Sequence, residues 1–79
     1  MGTTKRAYPR KLGRKLRKIR DRARLSQTEI ARELGVKDRA LISQYETGRR
    51  QPPLPVLLKY AQLAGVAVDV LIDDKVKLN

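Results

Sequence analysis

Arg39, Ala40, Ser43, Gln44 and Thr47 recur at intervals of three and four, so on a helix they share one face. Leu41, Ile42 and Tyr45 fall on the opposite face. The first set combines a guanidinium, a carboxamide, hydroxyls and a methyl. A guanidinium can bridge O6 and N7 of guanine, a carboxamide can bridge N6 and N7 of adenine, and an alanine methyl can touch the thymine methyl. Each bidentate pair is worth about 1–3 kcal/mol of discrimination. The plainer use of such a face is a solvated helix surface. Catalytic chemistry has less to work with. The 79 residues include no Cys and no His, which removes thiol nucleophiles, zinc knuckles and the commonest general base. The carboxylates gather only at Asp69, Asp73 and Asp74, beside an expected helix end where solvated acids are ordinary. No glycine-rich phosphate loop occurs, and Ser26 is explained by capping. An enzyme, a metal site and a cofactor are therefore not expected.

Charge supplies the second signal. The chain has 19 Lys and Arg against 8 Asp and Glu, a net charge of +11. Residues 1–25 hold eleven of the cations and one acid, Asp21, whereas residues 26–79 are nearly neutral. A run this lopsided repels itself, and cations near a helix start oppose its dipole. Phosphates would relieve both costs. A solubilising face is the alternative use. A membrane surface is a poor fit, because the basic helix offers only two Leu, one Ile and one Ala, and these are needed for a core. Single-stranded RNA is also a poor fit, because the chain has three Tyr and no Phe or Trp to stack on bases. No apolar run approaches the roughly 20 residues of a membrane span. The start, Met-Gly-Thr-Thr-Lys-Arg, does not read as a secretory signal. A small soluble domain of a reducing compartment is expected, with about 60 folded residues and a correspondingly small core.

The elements that must position these groups follow from periodicity. Leu12, Leu16, Ile19 and Ala23 are spaced 4, 3 and 4, predicting a helix over about 10–24 with basic residues off the stripe. Ser26-Gln27-Thr28-Glu29 fits a capping box, with Leu25 and Ile30 as the hydrophobic staple, for a helix over 27–34 closed by Gly35. Asp38 suits the N-cap of a helix over 39–46, ended by Gly48. Arg49 to Pro53 reads as a basic loop. A fourth helix starts with Pro55 at its first position and runs to Gly65. Val68 to Ile72 alternates like a strand, but one strand without a partner is unstable, so a short fifth helix is expected. Residues 1–9 are expected to be a flexible basic arm, 10–73 the domain, and 74–79 a short tail.

Two short helices joined at a glycine turn make a helix-turn-helix layout. The stretch Ser26-Gln27-Thr28-Glu29-Ile30-Ala31-Arg32-Glu33-Leu34-Gly35-Val36, followed by Ile42-Ser43-Gln44-Tyr45-Glu46-Thr47-Gly48-Arg49-Arg50-Gln51-Pro52, resembles the phage repressor/Cro-type (XRE-type) helix-turn-helix family. The resemblance covers about Leu12 to Asp73. It departs from the family pattern by one extra residue within Lys37–Leu41, and by Ala67 where a Ser or Thr often caps the fifth helix. It implies an all-α, compact, five-helix, lambda-repressor-like domain that binds double-stranded DNA, with helix 39–46 in the major groove. It implies base contacts from Arg39, Ala40, Ser43 and Gln44. Backbone contacts are implied for Gln27, Thr47, Arg49 and Arg50, with Thr28 and Lys37 added beside them. The arm, Lys5, Arg6, Arg10, Lys11 and Arg14, is expected either to follow the backbone or to enter a neighbouring minor groove. Arg20 and Glu46 are implied as a structural salt bridge that orients the recognition helix, so Arg20 is left out of the DNA-contact set.

The expected role is a transcriptional regulator, a repressor in the cytoplasm of a bacterium or encoded by a phage. It would bind a palindromic operator as a homodimer, with residues 66–78 as the expected contact. No small-molecule ligand is expected. The competing role is an antitoxin or coactivator-type interaction module that also binds DNA, since one fold serves several functions. A long C-terminal wrapping segment would mark an antitoxin, and only about seven residues follow Ile72 here.

Overall fold

The computed structural model describes residues 9–78. Five helices follow in order: α1 Leu12–Arg22, α2 Gln27–Leu34, α3 Arg39–Thr47, α4 Leu54–Ala64 and α5 Val68–Ile72. No strand occurs among the described residues. Leu12, Leu16 and Ile19 of α1 meet Ile30, Ala31 and Leu34 of α2, Ile42 and Tyr45 of α3, and Leu57, Tyr60 and Ala61 of α4 in one core. Leu71 of α5 completes it and is fully buried. The ambiguous stretch 68–72 is thus helical, because a single apolar turn can be buried against α1 and α4 without any strand partner.

The starts and stops are local chemistry. Ser26 Oγ accepts from the Glu29 N–H at 3.0 Å and Glu29 Oε1 accepts from the Ser26 N–H at 2.8 Å, a reciprocal capping box. Asp38 Oδ1 accepts from the Ala40 N–H at 2.9 Å and the Leu41 N–H at 3.3 Å, opening α3. At the ends of α2, α3 and α4, glycines 35, 48 and 65 take left-handed backbone at φ 69°, 79° and 71°.

Several boundaries differ from the sequence expectation. α1 ends at Arg22, two residues early, because Arg24 adopts left-handed backbone at φ 60°. The Arg24 N–H donates to Asp21 O and the Leu25 N–H to Arg20 O, the same closing motif that glycine makes elsewhere. α1 also starts later, at Leu12, with Lys11 as an N-cap that makes no side-chain hydrogen bond. α4 begins at Leu54, so Pro55 is its second residue; a missing N–H costs nothing anywhere in the first turn. α3 runs one residue further, to Thr47.

The largest correction concerns the end of the chain. Residues 74–78 are not a free tail. They turn back along α1, where Leu78 is buried in the core. The Lys15 ammonium, on a residue only 7% exposed, donates to the carbonyls of Val70 at 2.6 Å, Asp73 at 3.0 Å and Val76 at 2.7 Å. In return Asp74 accepts from the backbone N–H groups of Arg10 at 2.9 Å and Lys11 at 3.0 Å. The two segments therefore satisfy each other's open backbone groups.

Candidate nucleic-acid interface

α3 is held from behind at three points. Ile42 and Tyr45 anchor its inner face in the core. Gly13 of α1 lies against its last turn so closely that a methyl there would sit 2.5 Å from the Glu46 carbonyl oxygen. The third point is an ion pair. Arg20 Nε donates to Glu46 Oε2 at 2.6 Å and Arg20 Nη2 to Glu46 Oε1 at 3.1 Å, a bidentate contact. The two side chains are 14% and 5% exposed. Arg20 Nη1 also donates to the Leu25 carbonyl at 3.1 Å, tying the α1–α2 turn to the same knot. The Glu46 hydrogen bond holds the Arg20 proton more tightly than usual.

Gln27 joins this cluster. Its Nε2 donates to Glu46 Oε1 at 3.3 Å. One amide hydrogen is thereby used inside the protein. The fully buried Tyr60 hydroxyl makes no hydrogen bond, and burial, with the Glu46 charge acting the same way, pushes its ionisation well above the normal tyrosine range.

The outer face of α3 is open. Arg39, Ala40, Ser43 and Gln44 line one shallow concavity of about 430 Å³, together with Asp38, Thr47 and Arg49. Arg39 and Ala40 are exposed, and Ser43 and Gln44 are half-buried. The side chains that could address base edges thus converge on a single surface. Thr47 Oγ1 donates back to Ser43 O at 3.0 Å and Gln44 O at 3.3 Å, so its proton is committed within α3.

Other expected contacts are spread around this surface. Thr28, Lys37 and Arg50 are exposed but lie outside the concavity. Arg10 and Arg14 line an adjoining depression of about 480 Å³ with Gly13, Glu46, Thr47 and Gly48. Lys11 lies further round, beside the C-terminal segment. Lys5 and Arg6 lie outside the described residues.

Three features of this arrangement escape a reading of the sequence: the Gly13 approach to α3, the use of Gln27 by Glu46, and the Lys15 and Asp74 clasp. Each joins residues far apart in the chain. The local hints are the lone Gly13 of α1 and Lys15, which sits beside Leu16 and three residues after Leu12 on a helix whose other cations lie off the apolar stripe. Among the described residues no cluster of acids converges as a metal site, and Asp74 is occupied by backbone N–H groups. Among the same residues no helix is long and apolar enough to cross a membrane.

No curated protein sequence matches the chain. A family model described as a helix-turn-helix domain matches residues 11–73, a span that begins beside α1 and ends just after α5. That span contains the capped α2, the Gly35 turn and the braced α3, and it agrees with the phage repressor/Cro-type resemblance of residues 26–52. The chain belongs to the helix-turn-helix domain family, a family of DNA-binding modules.

Proposed function

We propose that this protein reads duplex DNA sequence through α3 and regulates transcription, as a repressor that occupies its operator. The observation that carries this is the convergence of Arg39, Ala40, Ser43 and Gln44 on one open concavity whose back is fixed by the Arg20–Glu46 pair. A recognition helix must present its side chains within a fraction of an ångström of the base edges, and a helix braced by core, glycine contact and ion pair can do so. Arg39 would bridge guanine, Gln44 adenine, and Ala40 would meet a thymine methyl. Arg49, Arg50, Lys37 and the free amide hydrogen of Gln27 would hold phosphates and set the register. The role is binding, without catalysis and without a small-molecule ligand.

One short helix reads about four to five base pairs, too few for a unique address. A homodimer on a palindromic operator, with half-sites about 34–36 Å apart, would double that. Leu71 and Leu78 are spent in the core, so within 66–78 the large apolar groups left to face a second copy are Ile72 and Val76.

The test is fluorescence anisotropy with the DNA upstream of the protein's own gene against a shuffled duplex, across a salt series. A preference of about a thousandfold, lost in Gln44→Ala, supports sequence reading. Equal affinity for both duplexes, unchanged in Gln44→Ala, would count against it.

A further inference from the structure

The outer side of α1 carries Lys11, Arg14, Arg17 and Lys18, all exposed. Across from them the returning C-terminal segment presents Lys77, and the two together line a groove of about 530 Å³ floored by Val76 and Leu78. The acids in this lining are Asp21 and Asp74. Asp74 is engaged by the N–H groups of Arg10 and Lys11. Asp21 makes only long contacts, 3.9 Å to Arg17 and 3.8 Å to Arg20, from a side chain 60% exposed. The first turn of α1 holds no acid, and its N-cap Lys11 makes no side-chain hydrogen bond. Cations are thus packed at the helix end that favours anions.

This groove is continuous with the recognition surface. Arg14 lines both the groove and the depression beside Gly13, and Thr47 lines both that depression and the α3 concavity. A phosphate strand leaving α3 past Thr47 therefore meets Arg14 next and the α1 cations after it. Arg14 to Lys18 spans about 6 Å of helix axis, over which a strand running alongside presents a phosphate about every 3.4 Å of duplex axis.

We propose that Arg17, Lys18 and Lys77 form a second phosphate-binding track, which holds the flank of the same duplex that α3 engages. An acidic protein segment is the rival occupant of a basic groove. The join through Arg14 and Thr47 favours nucleic acid, because it places the groove along the path of a duplex already bound. The inference rests on the protein binding duplex DNA, but not on its reading sequence.

The experiment compares salt dependence of binding to a random-sequence 40-bp duplex, a probe length of about four helical turns. Each neutralised phosphate contributes about −0.9 to the log–log slope. The variant R17Q/K18Q/K77Q should flatten the slope by about 2 to 3. The control R32Q/K59Q, which removes exposed cations from α2 and α4, should leave it nearly unchanged. All five residues are exposed, and thermal melts confirm that both variants fold. An unchanged slope in R17Q/K18Q/K77Q would overturn the proposal and leave the groove to an acidic partner. An equal loss in the control would overturn it too, as an effect of net charge alone. Energy transfer between two separately labelled duplexes, lost in R17Q/K18Q/K77Q, would overturn the same-duplex placement in favour of bridging. Because the probe has random sequence, a protein that shows no preference between its upstream DNA and a shuffled duplex still shows the flattening, so a failure of sequence reading is told apart from a failure of the track.

Discussion

Glu46 is the residue on which the geometry of the site turns. Its carboxylate accepts from Arg20 and from Gln27, and its carbonyl touches Gly13. Removing one partner of a buried pair leaves the other charge unpaired, which costs about 3 kcal/mol at the low end. Glu46→Ala should lower stability by about that amount, and a domain this small should lose more than about 10 °C in melting temperature. A thermal melt within about 2 °C of the parent would show that Asp21 and solvent satisfy Arg20 unaided. The pairing itself was legible beforehand, but only through resemblance: charge alone would have placed Arg20 among the DNA contacts. The Gln27 bond was not legible, because a carboxamide at the start of a helix can face a phosphate or a neighbouring acid equally well. Arg24 shows a similar blind spot. Left-handed backbone costs a non-glycine residue about 1–2 kcal/mol, so nothing in the residue type announces the end of α1 there.

Among the elements, α1 does more than carry charge. It sets the distance to α3 through Gly13 and fastens the end of the chain through Lys15. Gly13→Ala pits two effects against each other. Helix propensity favours alanine by about 1 kcal/mol, whereas a methyl 2.5 Å from a carbonyl oxygen forces the helices apart at a cost of about 1–3 kcal/mol. The expected outcome is net destabilisation with weaker duplex binding; a stabilised variant with full affinity would show that the crossing is loose. Lys15→Met keeps the apolar stem but strands the carbonyls of Val70 and Val76, while the Asp73 carbonyl keeps the Val76 N–H. A loss of about 1–3 kcal/mol is expected, with faster hydrogen exchange confined to 70–78. Uniform exchange across the chain would contradict a local clasp. The helices themselves were largely legible, since the capping box at Ser26, the Asp38 cap and the three terminal glycines are local signals. The C-terminal return was not. It depends on one ammonium meeting three carbonyls more than fifty residues away, and a short polar stretch after the last apolar turn carries no mark of it.

Across the whole molecule, two carboxylates tie acid stability to the same contacts. The N–H of Ser26 holds Glu29 below the usual carboxylate range, and the N–H groups of Lys11 and Arg10 do the same for Asp74. A depressed native pKa adds stability that is fully present above the unfolded value and is lost as pH falls through the native one. The protein should therefore weaken as pH drops below about 4, and Glu29→Gln with Asp74→Asn should shrink that dependence. An acid transition of unchanged depth in the double variant would place the effect elsewhere. On the proposed reading, a braced helix reads sequence and an excess of cations on α1 holds phosphates. In that proposal Arg39 and Gln44 are the residues that read bases. Selection from a random duplex pool, followed by sequencing, addresses this directly for the parent, Arg39→Ala and Gln44→Ala. The parent should enrich a motif of about four to five base pairs per half-site, and each variant should relax preference at its own position while keeping the rest. A pool that stays random, or a motif that survives both substitutions unchanged, would contradict it.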